Sequence, residues 1–194
     1  DHHNADGWVT HAQPPKEDGA AELAPLHILI EDTGSGAALA RTIASLGAET
    51  QPLALILSKR TKISSGNLPV IAPEWLASHL SALGHPGLLC LNEGFEIDRQ
   101  QLNHLRAAAS RFPDSVLLPS AVLDGQPAAS PPLSPALAYV HGPAPTGSIL
   151  IGAALVKELS ASQAAADGPF AGLADRAIAA AAQVIPYPAA IGSI

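Results

Sequence analysis

The chain has 194 residues, 47% of them hydrophobic and 14% charged, a composition that builds one domain with a real core and excludes a disordered chain. Its formal net charge is -7, and no basic run exceeds Lys59-Arg60-Thr61-Lys62, so a nucleic-acid partner is not expected. No apolar stretch approaches the ~20 residues of a membrane span and no signal-peptide pattern opens the chain, so a cytoplasmic protein is expected. With no methionine and Asp1 as its first residue, the sequence reads as an excerpt or processed piece.

Residues 1–25 carry five acids against Lys16 and, with Pro14-Pro15 and Asp18-Gly19, show no sustained period. They read as a flexible acidic leader or linker, whose His2, His3 and His11 lack a framework for holding a metal ion. Residues 26–194 read as a single domain. Leu26–Ile30 is an apolar run suited to a buried strand, Asp32-Thr33-Gly34-Ser35-Gly36 a turn, and Leu39, Ile43 and Leu46 recur at helical spacing with Gly47 as a stop. Leu53–Leu57 gives a second strand and Pro69–Ile71 a short third one, completing a βαβ unit.

Trp75, Leu76, His79, Leu80 and Leu83 trace one helix face after Pro73-Glu74, with Gly84 as its end. Strand Leu88–Leu91 follows, holding Cys90, the one cysteine, as a buried inert thiol. Leu102, Leu105 and Ala109 mark a helix, Val116–Leu118 a strand, and Val122–Gly125 a strand end with a tight turn. Residues 126–147, with six prolines, read as a long surface loop. Strand 148–152, a helix over 154–160, an Ala-rich helix over 173–182 and a closing strand over 183–187 complete an α/β chain with a mostly parallel sheet between helices.

Several motifs carry chemistry. Asp32-Thr33-Gly34-Ser35 matches the tetrapeptide of aspartic proteases, with Ile149–Gly152 in the place of their later hydrophobic-Gly element. Those folds need a strand after the aspartate, and Ala37–Leu46 has helical periodicity, so this reading is set aside. The same loop, opening a helix after a strand, is also a place where a phosphate binds, although Leu39 stands where a third glycine is needed, no P-loop lysine is present, and Glu31 and Asp32 repel anions. No serine lies in a Gly-x-Ser-x-Gly elbow. Asn92, Glu93, Glu96 and Asp98 follow a central strand, where open α/β sheets bind ligands. Carboxylates there suit a divalent ion bridging a diphosphate; equally, Glu96 and Asp98 suit the start of the next helix, with Asp98 as its cap.

Over about residues 26–190, the element order and local wording resemble the inverting family 2 glycosyltransferases. Pro25–Ile30 with Ala40–Leu46 is similar to the opening strand and helix of that family. Leu89–Asp98 with Gln101-Leu102 is similar to the segment around its Asp-x-Asp metal motif, in the variant beginning with Asn. Phe112-Pro113-Asp114 and Leu123-Asp124-Gly125 fit the helix and strand that come after that motif, and Gly152–Lys157, Gly168-Pro169-Phe170, Asp175-Arg176 and Tyr187-Pro188 resemble the acceptor-side segment. The resemblance implies a GT-A-like, Rossmann-like fold and nucleotide-sugar contacts at Asp32, Lys59, Asn92 and Glu93. It also implies a candidate base at Asp175 and, for an active enzyme, Mn²⁺ or Mg²⁺ on Glu93, Glu96 and Asp98.

The departures fall on the chemistry. Ser58-Lys59-Arg60 stands where the family places an acid for the nucleotide base, Gly94 at the second aspartate of the metal motif, and the usual Glu-Asp pair near Asp175 is absent. Lys59, Arg60 and Lys62 offer cations that substitute for a metal in principle. The expectation is a catalytically degenerate glycosyltransferase-like domain with no cofactor, binding a nucleotide sugar, a glycan, a protein partner or a second copy of itself in glycan assembly. An active transferase with a non-standard metal site is the alternative, and a phosphate-loop cofactor binder the third reading.

Overall fold

The computed structural model describes residues 25–48, 50–60, 62–123, 126–128, 148–161 and 170–193. The leader apart from Pro25, the Asp124-Gly125 turn and residues 129–147 of the Pro-rich segment lie outside the described residues, as does the side chain of Asp175.

Strand β1 (Leu26–Glu31) leads through a short loop into helix α1 (Gly36–Ser45) and, after a 3₁₀ turn (Gln51–Leu53), strand β2 (Ala54–Leu57). Strand β3 (Val70–Ile71), a 3₁₀ turn (Pro73–Trp75), helix α2 (Leu76–Ala82) and strand β4 (Gly87–Asn92) follow. Next come β5 (Glu96–Ile97), α3 (Arg99–Arg111), β6 (Ser115–Leu123), β7 (Gln126–Ala128), β8 (Ser148–Ile151), α4 (Ala153–Ala161), α5 (Phe170–Ala180) and β9 (Gln183–Ser193). The strands form one nine-stranded sheet in the order β3-β2-β1-β4-β8-β6-β9-β5, with β7 paired to β6.

From β3 to β4 the sheet is parallel; β8 then runs antiparallel to both β4 and β6, and β9 returns parallel to β6. The continuous apolar runs of β1, β4 and β8 follow from this placement, because both faces of these strands are covered. Ile28, Ile30, Leu89, Leu91 and Leu150 pack with Leu39 of α1 and Leu102 and Leu105 of α3. Leu29, Leu88, Cys90, Ile149 and Ile151 pack on the other face with Leu76 and Leu80 of α2, Leu155 and Leu159 of α4 and Ile178 of α5. Burial holds the Cys90 thiol far above its ordinary value, so it stays a protonated core side chain.

Four sequence expectations change. Trp75 is 65% exposed and Leu83 36%, so neither belongs to the buried face of α2. The 3₁₀ turn at Pro73–Trp75 breaks the helical phase before α2, and the helix ends at Ala82 before the left-handed residues Gly84 (φ 78) and His85 (φ 57). Residues 126–128, read as loop, form β7 and close a hairpin on β6. Glu96 and Ile97, read as part of an acidic cluster or as the approach to the next helix, form β5, which pairs with Ser193 and Gly192. The closing strand runs on past Tyr187 to Ser193, with irregular register opposite Pro119 and Ser120.

His27 of β1 is half-buried, and burial together with the neighbouring His79 holds its imidazole below the ordinary 6.5. The folded state therefore favours the neutral ring, and stability is lost as pH falls below the unfolded value of 6.5. The expected result is a lower melting temperature at pH 5.5 than at pH 7.5, with much of that difference removed in His27→Gln. An undiminished difference in the variant would place the acid sensitivity elsewhere.

Candidate functional site

Parallel strands β1, β2 and β4 all end on the same edge of the sheet, the edge on which open α/β folds bind ligands. Register fixes which residues meet there: Glu31 lies opposite both Leu57 and Asn92. The next residues of each strand, Asp32, Ser58 and Glu93, thus converge without help from any long loop. The β1–α1 loop is held to β2 by the Asp32 N–H donating to the Leu57 carbonyl at 3.0 Å, and α1 begins at a Ser35 cap whose Oγ accepts from the Ala38 N–H at 3.3 Å.

The Asp32 carboxylate has no solvent exposure on its side chain. It accepts from Arg60 Nε at 2.8 Å, from Arg60 Nη2, from Ser58 Oγ at 2.5 Å and from the Gly34 N–H at 3.2 Å. Arg60 Nη1 donates to the Gly34 carbonyl at 3.2 Å, and Ser58 Oγ accepts from the Arg60 N–H at 2.9 Å. The Arg60 hydrogen bond, aided by Ser58, the Arg60 charge and the Gly34 amide, holds Asp32 below its ordinary value against the upward effect of burial. Asp32 is ionised, and its acceptor positions are filled by the chain itself.

Glu93 does the same for the other side of the loop. Its Oε2 accepts from the Thr33 N–H at 3.1 Å, and its Oε1 accepts from Thr33 Oγ1 at 2.5 Å and from the Ser35 N–H at 3.0 Å. Burial pushes this carboxyl upward, but the Thr33 and Ser35 hydrogen bonds outweigh it and leave it below its ordinary value. The N–H groups of residues 33, 34 and 35, the ones a phosphate would meet at this loop, are therefore taken by Asp32 and Glu93.

Gly94 follows in a left-handed conformation (φ 92). Its N–H donates to Thr42 Oγ1 at 2.8 Å and to the Ala38 carbonyl at 3.2 Å, docking the turn on α1 where a side-chain-bearing residue is strained. Asn92, at the end of β4, is exposed.

The remaining carboxylates of the expected metal set lie in different surroundings. Glu96 is exposed on β5, with Oε1 3.8 Å from Arg41 Nε. Asp98 caps α3 by accepting from the Gln100 N–H at 2.9 Å, and its own N–H donates to the Ile191 carbonyl at 2.7 Å, which is the capping role the sequence also allowed. Among the described residues, no group of three or more His, Cys, Asp or Glu side chains is arranged to hold a metal ion. Asp175 lies on α5. Lys59 is exposed beside Arg60 and lines, with Glu31, Asp32, Thr33, Leu57, Ser58 and Pro73, a cleft of about 330 Å³ at the ends of β1 and β2.

Sequence reading selected Asp32 and Glu93 but missed their partners Thr33 and Ser58, and treated Arg60 as a free cation. The usable signal was parallel pairing: once β1 and β2 are neighbours in register, the first polar residues beyond each strand must meet.

No protein-family model matches the chain, and no curated protein does. Among solved structures, TarS 1-349 of S. aureus is similar, with a TM-score of 0.50 at 14% identity over 87% of this chain. The chain spans 59% of that TarS structure. Among the described residues no helix is long and apolar enough to cross a membrane. The likeness to TarS is one of fold, a mixed α/β sheet with helices packed on both faces.

Proposed function

We propose that the chain is a family 2 glycosyltransferase-like domain that has lost metal-assisted sugar transfer and acts as a binding or scaffolding domain in glycan assembly. The observation that carries this reading is the internal use of both strand-end carboxylates. Asp32 is enclosed by Arg60, Ser58 and the Gly34 amide, and Glu93 by Thr33 and Ser35. A metal-dependent transferase needs carboxylates free to hold the cation that stabilises a departing nucleoside diphosphate, and a base to deprotonate the acceptor hydroxyl. With Gly94 docked on α1, Glu96 beside Arg41 and Asp98 capping α3, the carboxylates among the described residues do not make such a set. The framework is supported by the likeness to TarS, itself a glycosyltransferase. In this reading Lys59 and Asn92 are contacts for a nucleotide sugar or glycan at the open edge of the sheet, and Asp32 and Glu93 shape that edge from within.

The test is calorimetric titration of UDP, GDP and dTDP into the purified protein with and without Mn²⁺ or Mg²⁺, followed by assays of nucleotide-sugar turnover. The expected result is no gain in nucleotide affinity from either metal and no turnover. Micromolar binding that requires the metal, or turnover abolished by Asp175→Asn, would overturn the proposal in favour of an active transferase.

A further inference from the structure

Among the described residues, the large apolar side chains left exposed are Val70, Trp75 and Leu83. All three belong to one unit, the segment from β3 through α2 at the end of the sheet. Apolar residues scattered singly over a surface need no explanation, whereas several gathered on one face mark a place where something docks. Here β3 and α2 flank a groove of about 410 Å³, with Val70 and Ala72 on one wall and Ser78, His79 and Ala82 on the other. Trp75, 65% exposed, stands at its side.

The strand beside the groove is open as well. β3 is the outermost strand, and the Ile56 and Ser58 N–H groups donate to the Pro69 carbonyl at 2.9 Å and the Ile71 carbonyl at 3.0 Å. Residues 69 and 71 thus face β2, and Val70 between them turns its own N–H and carbonyl outward. Edges of this kind are commonly blunted by charged side chains, and no residue from Leu68 to Ala72 is charged. The described residues lining the groove include no Asp, Glu, Lys or Arg either, so its occupant brings an uncharged, bulky apolar group. A second copy of the chain supplies one. A projecting indole and a groove walled by the small side chains of Ala72, Ser78 and Ala82 lie side by side on one face, an arrangement that is self-complementary under a two-fold axis. The exchange carries the exposed Glu74 towards the other copy's His79 rather than towards a second carboxylate. With most of its indole exposed, Trp75 brings roughly 100–160 Å². The two indoles, the walls they cover and the two β3 edges together approach the ~1,000 Å² at which specific interfaces begin, a size suited to a dimer that forms at micromolar concentration.

We propose that the chain forms a two-fold dimer through the face made by β3 and α2, each Trp75 entering the groove of the other copy. The interface lies outside the strand-end site and does not depend on how that site is read.

The experiment is sedimentation equilibrium of the whole chain from about 1 to about 200 µM, a range that brackets a micromolar Kd, repeated with Trp75→Ala and with Ala82→Glu. Both positions are exposed, so neither substitution disturbs the core. The unaltered chain should pass from monomer to dimer as its concentration rises. Each variant should weaken the association at least about thirtyfold, the scale of one central tryptophan; Ala82→Glu does so with the indole intact, by putting a carboxylate into the groove. Hydrogen exchange reads the strand, since the outward Val70 N–H should become protected as the dimer forms. A chain that stays monomeric throughout overturns the proposal, and so does a dimer that either variant leaves intact or whose formation leaves exchange at Val70 unchanged, because the interface then lies elsewhere. Growth past the dimer overturns the two-fold in favour of head-to-tail association. A monomer whose indole fluorescence shifts with a neutral oligosaccharide, and does not in Trp75→Ala, makes the groove a sugar platform and overturns the second copy as its occupant.

Discussion

Gly152→Ala should destabilise the fold by about 3 kcal/mol, the upper end for overpacking a filled site, or about 6–12 °C in melting temperature for a domain of this size. Gly152 links β8 to α4 and packs on the Phe112-Pro113 turn. Its N–H donates to the Ser115 carbonyl at 3.0 Å, and the Pro113 carbonyl accepts from the Ala154 N–H at 2.8 Å and the Leu155 N–H at 3.2 Å. A Cβ on Gly152 would fall 2.5 Å from the Phe112 carbonyl oxygen and also against the Pro113 carbonyl. Both are backbone atoms, so no rotamer change relieves the overlap; β8 must shift or α4 must lose its start. Gly36→Ala is the control: a Cβ there meets nothing within 4 Å, and the substitution should be neutral or stabilising by about 0.5 kcal/mol. Paired thermal melts read the difference. A Gly152→Ala protein melting with the wild type would mean that the β8–α4 corner does not sit on residues 112–113.

Glu93→Ala should cost about 1.5 kcal/mol, the low end for hydrogen bonds to a charged group because the site is only partly shielded from water. Its signature is local. The Thr33 and Ser35 N–H groups lose their acceptor, and their hydrogen exchange should rise about tenfold, as 1.4 kcal/mol of local opening corresponds to a factor of ten. Strands away from the loop should exchange as before. The pH dependence has a definite sign. Glu93 and Asp32 both sit below their ordinary values of 4.5 and 3.8, so their contribution is present above those values and is lost as pH falls through the folded ones. Wild-type protection at Thr33 and Ser35 should therefore decline below about pH 4.5, while Glu93→Ala shows no such decline. Unchanged exchange at the two amides in the variant would remove Glu93 from the loop.

The α/β alternation was legible because strands buried on both faces are written as unbroken apolar runs. Leu88–Leu91 and Leu26–Ile30 are of this kind, and α3 announces itself through its Asp98 cap and the Leu102–Leu105 spacing. The elements that were not legible came from distant pairing. Glu96-Ile97 is too short to read as a strand, and it becomes one only because Gly192 and Ser193 lie beside it. Gly192 is what permits the approach, since a Cβ there would fall 2.5 Å from Phe95 Cε1 and against the Glu96 carbonyl. The prolines at 186 and 188 disguised the length of β9, and composition cannot tell that β8 runs against its neighbours. At the site, the acids that would bear a ligand were visible one by one. Their engagement was not, because Arg60, Ser58 and Thr33 reach Asp32 and Glu93 across three strand ends, and residue type alone does not reveal whether a carboxylate is free or spoken for.

The position of β8 also sets the order in which the chain can acquire its structure. In the sheet it lies between β4 and β6, yet in sequence it comes after both. As the chain leaves the ribosome, β1 to β4 have their parallel partners in hand, while the outer edge of β4 stays open until residues 148–151 arrive. That edge is the apolar stretch Gly87-Leu88-Leu89-Cys90-Leu91, a template for pairing with another chain. Chains interrupted before Ser148 should therefore collect in aggregates rather than as stable fragments, and refolding of the whole should be slow and concentration-sensitive, since closure waits on contacts far apart along the sequence.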